Sequence, residues 1–244
     1  MGVIADKAGN LYGTAALGGV HGHGSVFKLA PDGTLTTLYA FTGGSDGGEP
    51  SAAPIMDPLQ NLYGVTYYGG SHNHGTVYKL APDGTLTTLY SFTGENDGEF
   101  PGNELFLNET GDLYGTSEAG GAAKSGTLFK LTQDGTFTVL HTFLGYPDDG
   151  EGPRGKLLAD QDGSFYGVTS GGGKHSRGVV YKLAPDGTYA VLHSFRPDKD
   201  GGYPMAGLIL RGAKLYGTAW KYGPHGQGTV FRFRPEDSPA DGEK

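Results

Sequence analysis

The sequence predicts an all-β protein, a five-bladed β-propeller built from tandem repeats of about 51 residues. Three recurring motifs support this prediction. A Leu-Tyr-Gly or Phe-Tyr-Gly triplet places its tyrosine at Tyr12, Tyr63, Tyr114, Tyr166 and Tyr216. A motif similar to Gly-Thr-Val-Phe-Lys-Leu begins at Gly24, Gly75, Gly126, Gly178 and Gly228. A third motif, Asp-Gly-x-x-Pro, ends at Pro50, Pro101, Pro153 and Pro204. Independent motifs that share one spacing indicate internal repeats of blade size.

Each repeat contains four segments that are predicted to form antiparallel strands. Strand a is short and apolar, as in 105–107, and strand b contains the Leu-Tyr-Gly triplet, as in 62–66. Strand c, as in 76–80, follows a glycine-rich loop, and an Asp-Gly turn at 83–84 is a strong signal for a hairpin into strand d. Strand d, 85–92, is rich in β-branched and aromatic residues. No segment has helical periodicity, and a single blade cannot bury both of its faces, so the blades must stack on one another.

The composition argues against several classes of function. The chain has 244 residues and a formal net charge of −8, and it contains no run of basic residues, which argues against nucleic acid as a partner. No apolar segment approaches the length of a membrane span. The chain contains no cysteine, which excludes disulfides and thiolate metal sites. The 46 glycines recur with the repeat and are therefore interpreted as turns, and 15 Tyr and 12 Phe supply a core.

The order of these segments resembles the GloVer-type tandem repeat of secreted bacterial proteins, and its layout is similar to that of kelch-type blades. The resemblance extends from Gly2 to about Arg234 and includes the Leu-Tyr-Gly triplet, the Gly-Gly loop and the Asp-Gly hairpin. It implies a propeller fold and a secreted or cell-surface location, and it assigns no catalytic residue. Propellers serve as lectins, scaffolds, lyases and hydrolases, so the fold does not give the function.

The repeat boundaries divide the chain into one predicted domain, 1–234, and a polar tail, 235–244. The units within the domain are 1–50, 51–101, 102–153, 154–204 and 205–234. The last unit ends after strand c, so we expect a strand d from before residue 1 to complete it in an intact protein, the alternative being a natural open ring. No signal peptide is visible in the sequence. The open edge of the last strand c predicts a dimer or the capture of a peptide strand.

Histidines are concentrated in the loops between strands b and c. They lie three residues or one residue before the glycine that opens strand c, at His21, His23, His72, His74, His175 and His225. One interpretation is a divalent metal site, such as zinc, because neutral imidazole is a common metal ligand. The other is duplication of one loop, since histidine tolerates left-handed turn conformations. Ligands of one ion must nearly touch, so the distance between blades argues against a single metal shared by all of them.

Acidic residues are concentrated in the loops between strands d and a, which a propeller places on the same face as the histidine loops. The candidate ligand-binding residues are Asp46, Glu49, Asp97, Glu99, Asp149, Glu151 and Asp200. One interpretation is an acidic rim that binds calcium or sugar hydroxyls. The other is an Asx turn that fixes the loop.

Strand c carries one basic residue in every repeat. These residues are Lys28, Lys79, Lys130, Lys182 and Arg232. We expect them to lie on a solvated strand face, and we expect the tyrosines of the Leu-Tyr-Gly triplets to lie in the core.

The sequence specifies the fold more closely than the function. The main hypothesis is a secreted, non-catalytic module that binds carbohydrate or another small ligand at repeated loops, with multivalency raising avidity. The first alternative is a metal-dependent hydrolase of an ester, lactone or phosphoester that uses the loop histidines and acids. The second is a structural repeat of a larger cell-surface protein. The sequence contains no P-loop or His-Glu-x-x-His motif, and it predicts no helix that could form the strand-turn-helix elbow of a Gly-x-Ser-x-Gly nucleophile, so nucleophilic catalysis has no sequence support.

Overall fold

The computed structural model describes residues 2–235, which form five antiparallel sheets. Blade 1 contains β1 (Val3–Ala5), β2 (Leu11–Ala15), β3 (Ser25–Leu29) and β4 (Leu35–Ala40). Blade 2 contains β5 (Ile55–Met56), β6 (Leu62–Thr66), β7 (Thr76–Leu80) and β8 (Leu86–Ser91). Blade 3 contains β9 (Phe106–Leu107), β10 (Leu113–Ser117), β11 (Thr127–Leu131) and β12 (Phe137–Thr142). Blade 4 contains β13 (Gly150–Ala159), β14 (Phe165–Gly172), β15 (Val179–Leu183) and β16 (Tyr189–Ser194). Blade 5 contains β17 (Gly202–Pro204), β18 (Ile209–Arg211), β19 (Lys214–Lys221) and β20 (Thr229–Phe233).

The strand order confirms the all-β propeller blades predicted from the repeats. In blades 1 to 4 the strands pair in chain order, each with the next. In blade 5 both β17 and β18 pair with one side of β19, and β20 pairs with the other. This blade is therefore three strands wide within the described residues, as its missing strand d predicts. Within 2–235 there is no helix with the length and hydropathy needed to cross a lipid bilayer. Except for Pro235, the predicted polar tail lies outside the described residues.

The glycine of the Leu-Tyr-Gly triplet is required because an aromatic ring from strand c lies over it. A Cβ built on Gly115 would lie 2.6 Å from Cζ of Phe129 and 2.7 Å from Cδ2 of Leu105. The same arrangement recurs in every blade. The ring–glycine pairs are Phe27–Gly13, Tyr78–Gly64, Phe129–Gly115, Tyr181–Gly167 and Phe231–Gly217. A side chain at this position would displace a ring that fills the space between blades.

Each blade packs its front face against the back face of the blade before it. The front face carries the first residue of strand b and the strand-c aromatic ring, such as Leu113 and Phe129 in blade 3. The back face carries side chains such as Val65 and Val77 in blade 2. These four side chains lie in one buried cluster, and similar clusters join blade 1 to blade 2, blade 3 to blade 4 and blade 4 to blade 5. Burial of apolar surface at these four interfaces is the main force that holds the blades together.

The strand-c lysines have a more specific role than the solvated position predicted from the sequence. Lys79 lies 5.9 Å from the centre of the Tyr63 ring, and blades 1, 3 and 4 have equivalent contacts. The hydroxyl of Tyr63 donates a hydrogen bond of 3.1 Å to Asp57 in the turn between strands a and b. This tyrosine is half-buried, so it links the blade to its turn and is not fully within the core. Lysine and tyrosine therefore recur together because their side chains interact, at about 0.5–1 kcal/mol for an exposed cation–π pair.

We expect Gly115→Ala to destabilise the protein by about 1–3 kcal/mol, because the new methyl group overpacks a fully enclosed ring. Gly13→Ala is the matched control. Its Cβ would also lie 2.6 Å from a ring, that of Phe27, but Phe27 is only half-buried and can move away. Urea denaturation of both variants measures the difference. Equal losses of stability would contradict the role assigned to the enclosed ring.

Candidate functional site

The d–a loops and the b–c loops interlock on one face of the molecule. The backbone N–H of Phe100 in a d–a loop donates a 3.0 Å hydrogen bond to the carbonyl of His74 in the b–c loop of blade 2. The N–H of Glu118 then donates to the carbonyl of Phe100 at 3.2 Å. The glycine that opens strand c lies against the proline of the same d–a loop, since a Cβ on Gly75 would be 2.6 Å from Cδ of Pro101. Both candidate loop sets therefore lie side by side, as the propeller topology predicts.

The aspartates of the d–a loops use their carboxylates within their own loops. Asp97 accepts hydrogen bonds from the hydroxyl of Tyr90 at 2.9 Å, from the N–H of Thr93 at 2.8 Å and from the Thr93 hydroxyl at 2.6 Å. Asp46 accepts the equivalent bonds from Tyr39 and Thr42. This pattern favours the interpretation that these aspartates fix the loop, with the acceptor positions of Asp97 facing the protein.

Histidine replaces the strand-d tyrosine in blades 3 and 4. His141 Nε2 lies 2.9 Å from Oδ2 of Asp149, and His193 Nε2 lies 2.5 Å from Oδ2 of Asp200. Asp149 is buried and also accepts a 2.5 Å hydrogen bond from the Tyr189 hydroxyl of blade 4. Burial alone would raise the pKa of Asp149, but the hydrogen bonds from His141, Tyr189 and two backbone N–H groups outweigh it and lower the pKa. The two histidines outside the b–c loops are thus structural partners of the d–a loop aspartates.

The three candidate glutamates, Glu49, Glu99 and Glu151, differ from one another. Glu49 has a positive φ of 55° and is half-buried, and Glu151 is exposed. Oε2 of Glu99 lies 2.9 Å from Nδ1 of His74, a close polar contact whose angle is outside hydrogen-bonding geometry. Glu99 and His74 are therefore the candidate acid and candidate metal ligand that the structure brings together.

The remaining loop histidines are distributed over four loops. His21, His72, His175 and His225 are exposed at the tips of four different loops. His72 Nδ1 has a 2.9 Å contact with the Ser71 hydroxyl. The His23 ring lies against Gly43, where a Cβ would be 2.6 Å away. Among residues 2–235 there is no group of three or more His, Cys, Asp and Glu side chains that could hold a metal ion.

An aromatic cluster that the sequence analysis did not identify lies beside the His74–Glu99 contact. We define the aromatic cluster as Tyr67, Tyr68 and Phe100. Tyr67 and Phe100 are stacked with ring centres 5.0 Å apart, and Tyr68 meets Phe100 edge-on at 5.4 Å. Phe100 has a positive φ of 57°, an uncommon conformation for a bulky residue. The hydrogen bonds of the d–a loop hold this backbone and direct the ring to the cluster.

A carboxylate and a guanidinium group join the aromatic cluster to blades 3 and 4. The hydroxyl of Tyr67 donates a 3.2 Å hydrogen bond to Oε2 of Glu118, and Oε1 of Glu118 forms an ion pair with Arg154. Burial raises the pKa of the Glu118 carboxyl, against the opposing effects of Arg154 and Tyr67. Burial, together with the nearby Glu118 charge, raises the pKa of Tyr67 to about 12. Nε of Arg154 is buried and has no hydrogen-bond partner within the described residues.

The sequence did contain a signal for this site, namely divergence between the repeats. The residue four positions after the tyrosine of the Leu-Tyr-Gly triplet differs in every blade: Ala16, Tyr67, Glu118, Ser170 and Trp220. The residue after the d–a proline also differs: Ser51, Gly102, Arg154 and Met205. Gly102 leaves room for Glu118, because a Cβ there would be 2.4 Å from Oε1 of that side chain. Duplication cannot explain side chains that differ between copies, so these positions are candidates for function.

A family model for the Gloeobacter/Verrucomicrobia repeat matches residues 1–238. The chain belongs to this repeat family. The match confirms the GloVer-type resemblance seen in the motifs. No curated protein matches the chain in sequence.

Solved structures that are similar to this repeat protein share its fold at low sequence identity. A gluconolactonase from Xanthomonas campestris is 16% identical with a TM-score of 0.52, and the match covers 92% of this chain and 79% of that one. A luciferin-regenerating enzyme is 15% identical with a TM-score of 0.54, over 91% and 77% of the two chains. A puromycin-hydrolyzing peptidase from Mycobacterium tuberculosis is 13% identical with a TM-score of 0.58, over 97% and 36%. These similarities establish the propeller-like fold alone.

We expect Asp149→Asn to lower the free energy of unfolding at neutral pH by about 1–3 kcal/mol, because a buried, multiply bonded carboxylate is lost. The folded-state pKa of Asp149 lies below its ordinary value of 3.8, so the stabilisation is complete above pH 3.8 and is lost as the pH falls through the folded pKa. The variant should therefore lose less stability than the parent on acidification. Denaturation between pH 7 and pH 2.5 tests this. Asp148→Asn, an exposed neighbour, is the control, and equal acid sensitivity of Asp149→Asn and the parent would contradict the assignment.

Proposed function

We propose that this protein binds a carbohydrate at one site formed by the aromatic cluster and the Glu118–Arg154 pair. The observation that carries this proposal is the stacked Tyr67–Phe100 pair lying next to a partly buried carboxylate and guanidinium. Binding sites for small molecules combine aromatic surface with a few convergent polar groups. The site spans three consecutive blades and faces the side on which the loops interlock.

The aromatic rings supply the apolar part of the site. Tyr68 remains exposed beside Phe100, and Tyr67 and Phe100 are half-buried. Tyrosine presents a large rigid apolar body and a polar hydroxyl, a combination suited to a ligand that has both C–H faces and hydroxyl groups. A sugar ring has both.

The polar groups would orient the bound ligand. Ionised Glu118 offers acceptor positions for ligand hydroxyls, and Arg154 offers N–H donors, including an Nε that has no protein partner within residues 2–235. Leaving a buried donor such as Nε unpaired costs free energy. A ligand oxygen that accepts a hydrogen bond from Nε would recover this free energy, at the expense of part of the ion pair between Arg154 and Glu118. Because the pKa of Glu118 is raised, binding should weaken as the pH falls toward and through that raised value.

One asymmetric site is better supported than repeated equivalent sites. The aspartates that recur in the d–a loops are bonded to the strand-d tyrosine or histidine of the same blade, and these bonds hold their own loops. The divergent residues Tyr67, Glu118 and Arg154 meet at one place. A location outside the cell or at its surface, where polysaccharides are accessible, fits this function and forms part of the proposal.

We expect Phe100→Gly to weaken carbohydrate binding by at least about tenfold, the effect of losing a central aromatic contact. Glycine stands at the equivalent position, Gly152, of the next loop, and Phe100 has a positive φ, so the substitution should preserve the fold. Glu118→Ser, which copies Ser170 of blade 4, should also weaken binding. Isothermal titration calorimetry against soluble glucan, xylan and chitin oligosaccharides measures the affinities.

Leu59→Ala is the control for these variants. Leu59 is exposed in a turn between strands a and b, at the opposite end of the strands from the aromatic cluster. It should bind as the parent does. If the parent binds none of the oligosaccharides, or if Phe100→Gly and Glu118→Ser bind normally, the proposal is wrong.

A second candidate is lactone hydrolysis, which the similarity to a gluconolactonase brings into consideration. The metal-dependent form predicted from the sequence would require zinc or calcium at the loop histidines and acids. The described residues do not fit such a site, since no three potential ligands converge there. The test is whether the protein hydrolyses gluconolactone faster than the spontaneous rate. If it does, and if the activity is lost with chelator and in the double variant His72→Ala, His74→Ala, lactone hydrolysis replaces carbohydrate binding as the proposed function.

A further inference from the structure

A second group of aromatic and basic side chains lies where the b–c loop of blade 4 meets blade 5. Cζ of Arg177 lies 5.3 Å from the centre of the Tyr203 ring and 5.0 Å from the centre of the Tyr222 ring. The centres of the two rings are 5.8 Å apart. We define these three residues as the Arg177 group. All three are half-buried, so the group borders solvent.

The Arg177 group repeats the position of the His74–Phe100 pair two blades further along the chain. Arg177 directly precedes the glycine that opens strand c, as His74 does, and Tyr203 directly precedes the d–a proline, as Phe100 does. The N–H of Tyr203 donates a 2.8 Å hydrogen bond to the carbonyl of Arg177, the bond that Phe100 makes with His74. The d–a loops therefore present an aromatic ring on this face twice, at two separate junctions between blades.

Both tyrosines of the Arg177 group have an uncommon backbone conformation. The φ of Tyr203 is 56° and that of Tyr222 is 64°. At the position of Tyr222 the other four blades have glycine, with φ between 73° and 82°: Gly18, Gly69, Gly120 and Gly172. A bulky residue in this conformation costs free energy that glycine avoids, and such residues concentrate at functional sites. The blade framework does not require a tyrosine at a position where four blades use glycine.

The guanidinium of Arg177 has no carboxylate partner. Within residues 2–235 it forms no ion pair, its Nε is buried without a hydrogen-bond partner, and Nη1 donates at 2.9 Å to the carbonyl of Ser176. His74, by contrast, lies 2.9 Å from the carboxylate of Glu99, which is two residues before the d–a proline. Gly202 takes the place of Glu99 beside Arg177, where a Cβ would lie 3.0 Å from Cβ of Arg177. The loop position that supplies a carboxylate at the earlier junction therefore carries no side chain here.

This combination of groups is suited to a ligand that carries a carboxylate. The planar guanidinium matches a carboxylate with two parallel hydrogen bonds, and the flanking rings hold it in place before the ligand arrives. The hydroxyls of Tyr203 and Tyr222 have no hydrogen-bond partner among the described residues, so they are available to other polar groups of the ligand. Arg154 of the first site differs, because Glu118 already neutralises it.

We propose that the Arg177 group is a second binding site, which takes the carboxylate of a uronic acid. The guanidinium binds the carboxylate, and the two tyrosines offer apolar surface and hydroxyl groups to the sugar ring. The carboxylate part of the proposal stands on the Arg177 group alone, whereas the sugar part rests on the carbohydrate function proposed above. Two sites on one face let an acidic polysaccharide bind at both, which raises avidity.

Isothermal titration calorimetry of the full chain with tetragalacturonate and with its fully methyl-esterified form tests the proposal. The ester keeps the sugar chain and removes the negative charges. The parent protein should bind the acid at least about tenfold more tightly than the ester, the effect of a charge-assisted hydrogen bond. Binding of the acid should also weaken as the salt concentration rises. This comparison uses the parent protein alone, so it does not depend on how any variant folds.

Substitutions that copy other blades locate the site. Arg177→Gln, which copies Gln227 of blade 5, should weaken tetragalacturonate binding at least about tenfold and leave the affinity for the ester unchanged. Tyr222→Gly, which restores the glycine of the other blades, should weaken binding of both forms without loss of the fold. Lys174→Gln is the control, because it removes an equal charge from an exposed position of the same loop, and it should bind as the parent does. Circular dichroism verifies the fold of each variant.

Three results would overturn the proposal. The first is a parent protein that does not bind tetragalacturonate, or that binds the acid and the ester equally. The second is normal binding by Arg177→Gln, which would place the acid at another site. The third is binding of citrate as tight as that of tetragalacturonate, which would show an anion site without preference for a sugar. The neutral oligosaccharides decide the first site separately: binding of tetragalacturonate without binding of any neutral oligosaccharide would support the Arg177 group and reject the site at the aromatic cluster.

Discussion

The contact between a strand-c aromatic ring and the glycine of the Leu-Tyr-Gly triplet is the interaction on which the rest of the structure depends. A ring such as Phe129 can lie flat on its own sheet only because Gly115 has no side chain. The ring then fills the space to the preceding blade and meets Phe92 at 5.3 Å. Close packing of this kind tolerates little change in volume. The glycine, the aromatic residue and the phenylalanine after strand d must therefore recur together, and this explains why the Leu-Tyr-Gly triplet and the strand-c motif share one spacing.

The packing of one blade on the next does not by itself limit the number of blades. Each blade contacts only its neighbours, so the blades behave as a one-dimensional array, and an end blade has one face without a neighbour unless the ring closes or a cap is present. The described residues show both end faces free, with Val230 and Val3 exposed where their equivalents are buried. Proteins with repeats commonly cover such faces with polar capping units. In blade 5 the exposed Val230 occupies a position at which the other four blades carry a fully buried Val or Leu.

The repeat pattern was sufficient to predict the fold and the strand order, because glycine, proline and Asp-Gly turns occupy fixed places in each unit. The sequence could not show which of two roles a repeated residue has. From the sequence, Asp97 is compatible with both a ligand site and a loop anchor, and the hydrogen bonds that Tyr90 and Thr93 donate to it favour the loop anchor. The contact between Tyr67 and Glu118 joins residues 51 positions apart on different blades, and it depends on the space left by Gly102. No local motif encodes such a contact.

Repetition and divergence therefore report on different properties of this protein. A residue that recurs from unit to unit, such as the strand-c lysine over its tyrosine in blades 1 to 4, satisfies a requirement that these blades share. A residue that appears once in an otherwise copied framework cannot be explained by that requirement. Tyr67, Glu118 and Arg154 are each of this kind, and each contacts another of them. Burying a carboxylate costs free energy. The blade fold does not require a carboxylate at this position, since Ala16 and Ser170 occupy it in blades 1 and 4. This charged pair, at one point of an otherwise uniform scaffold, is the reason for which the proposed ligand site is placed there.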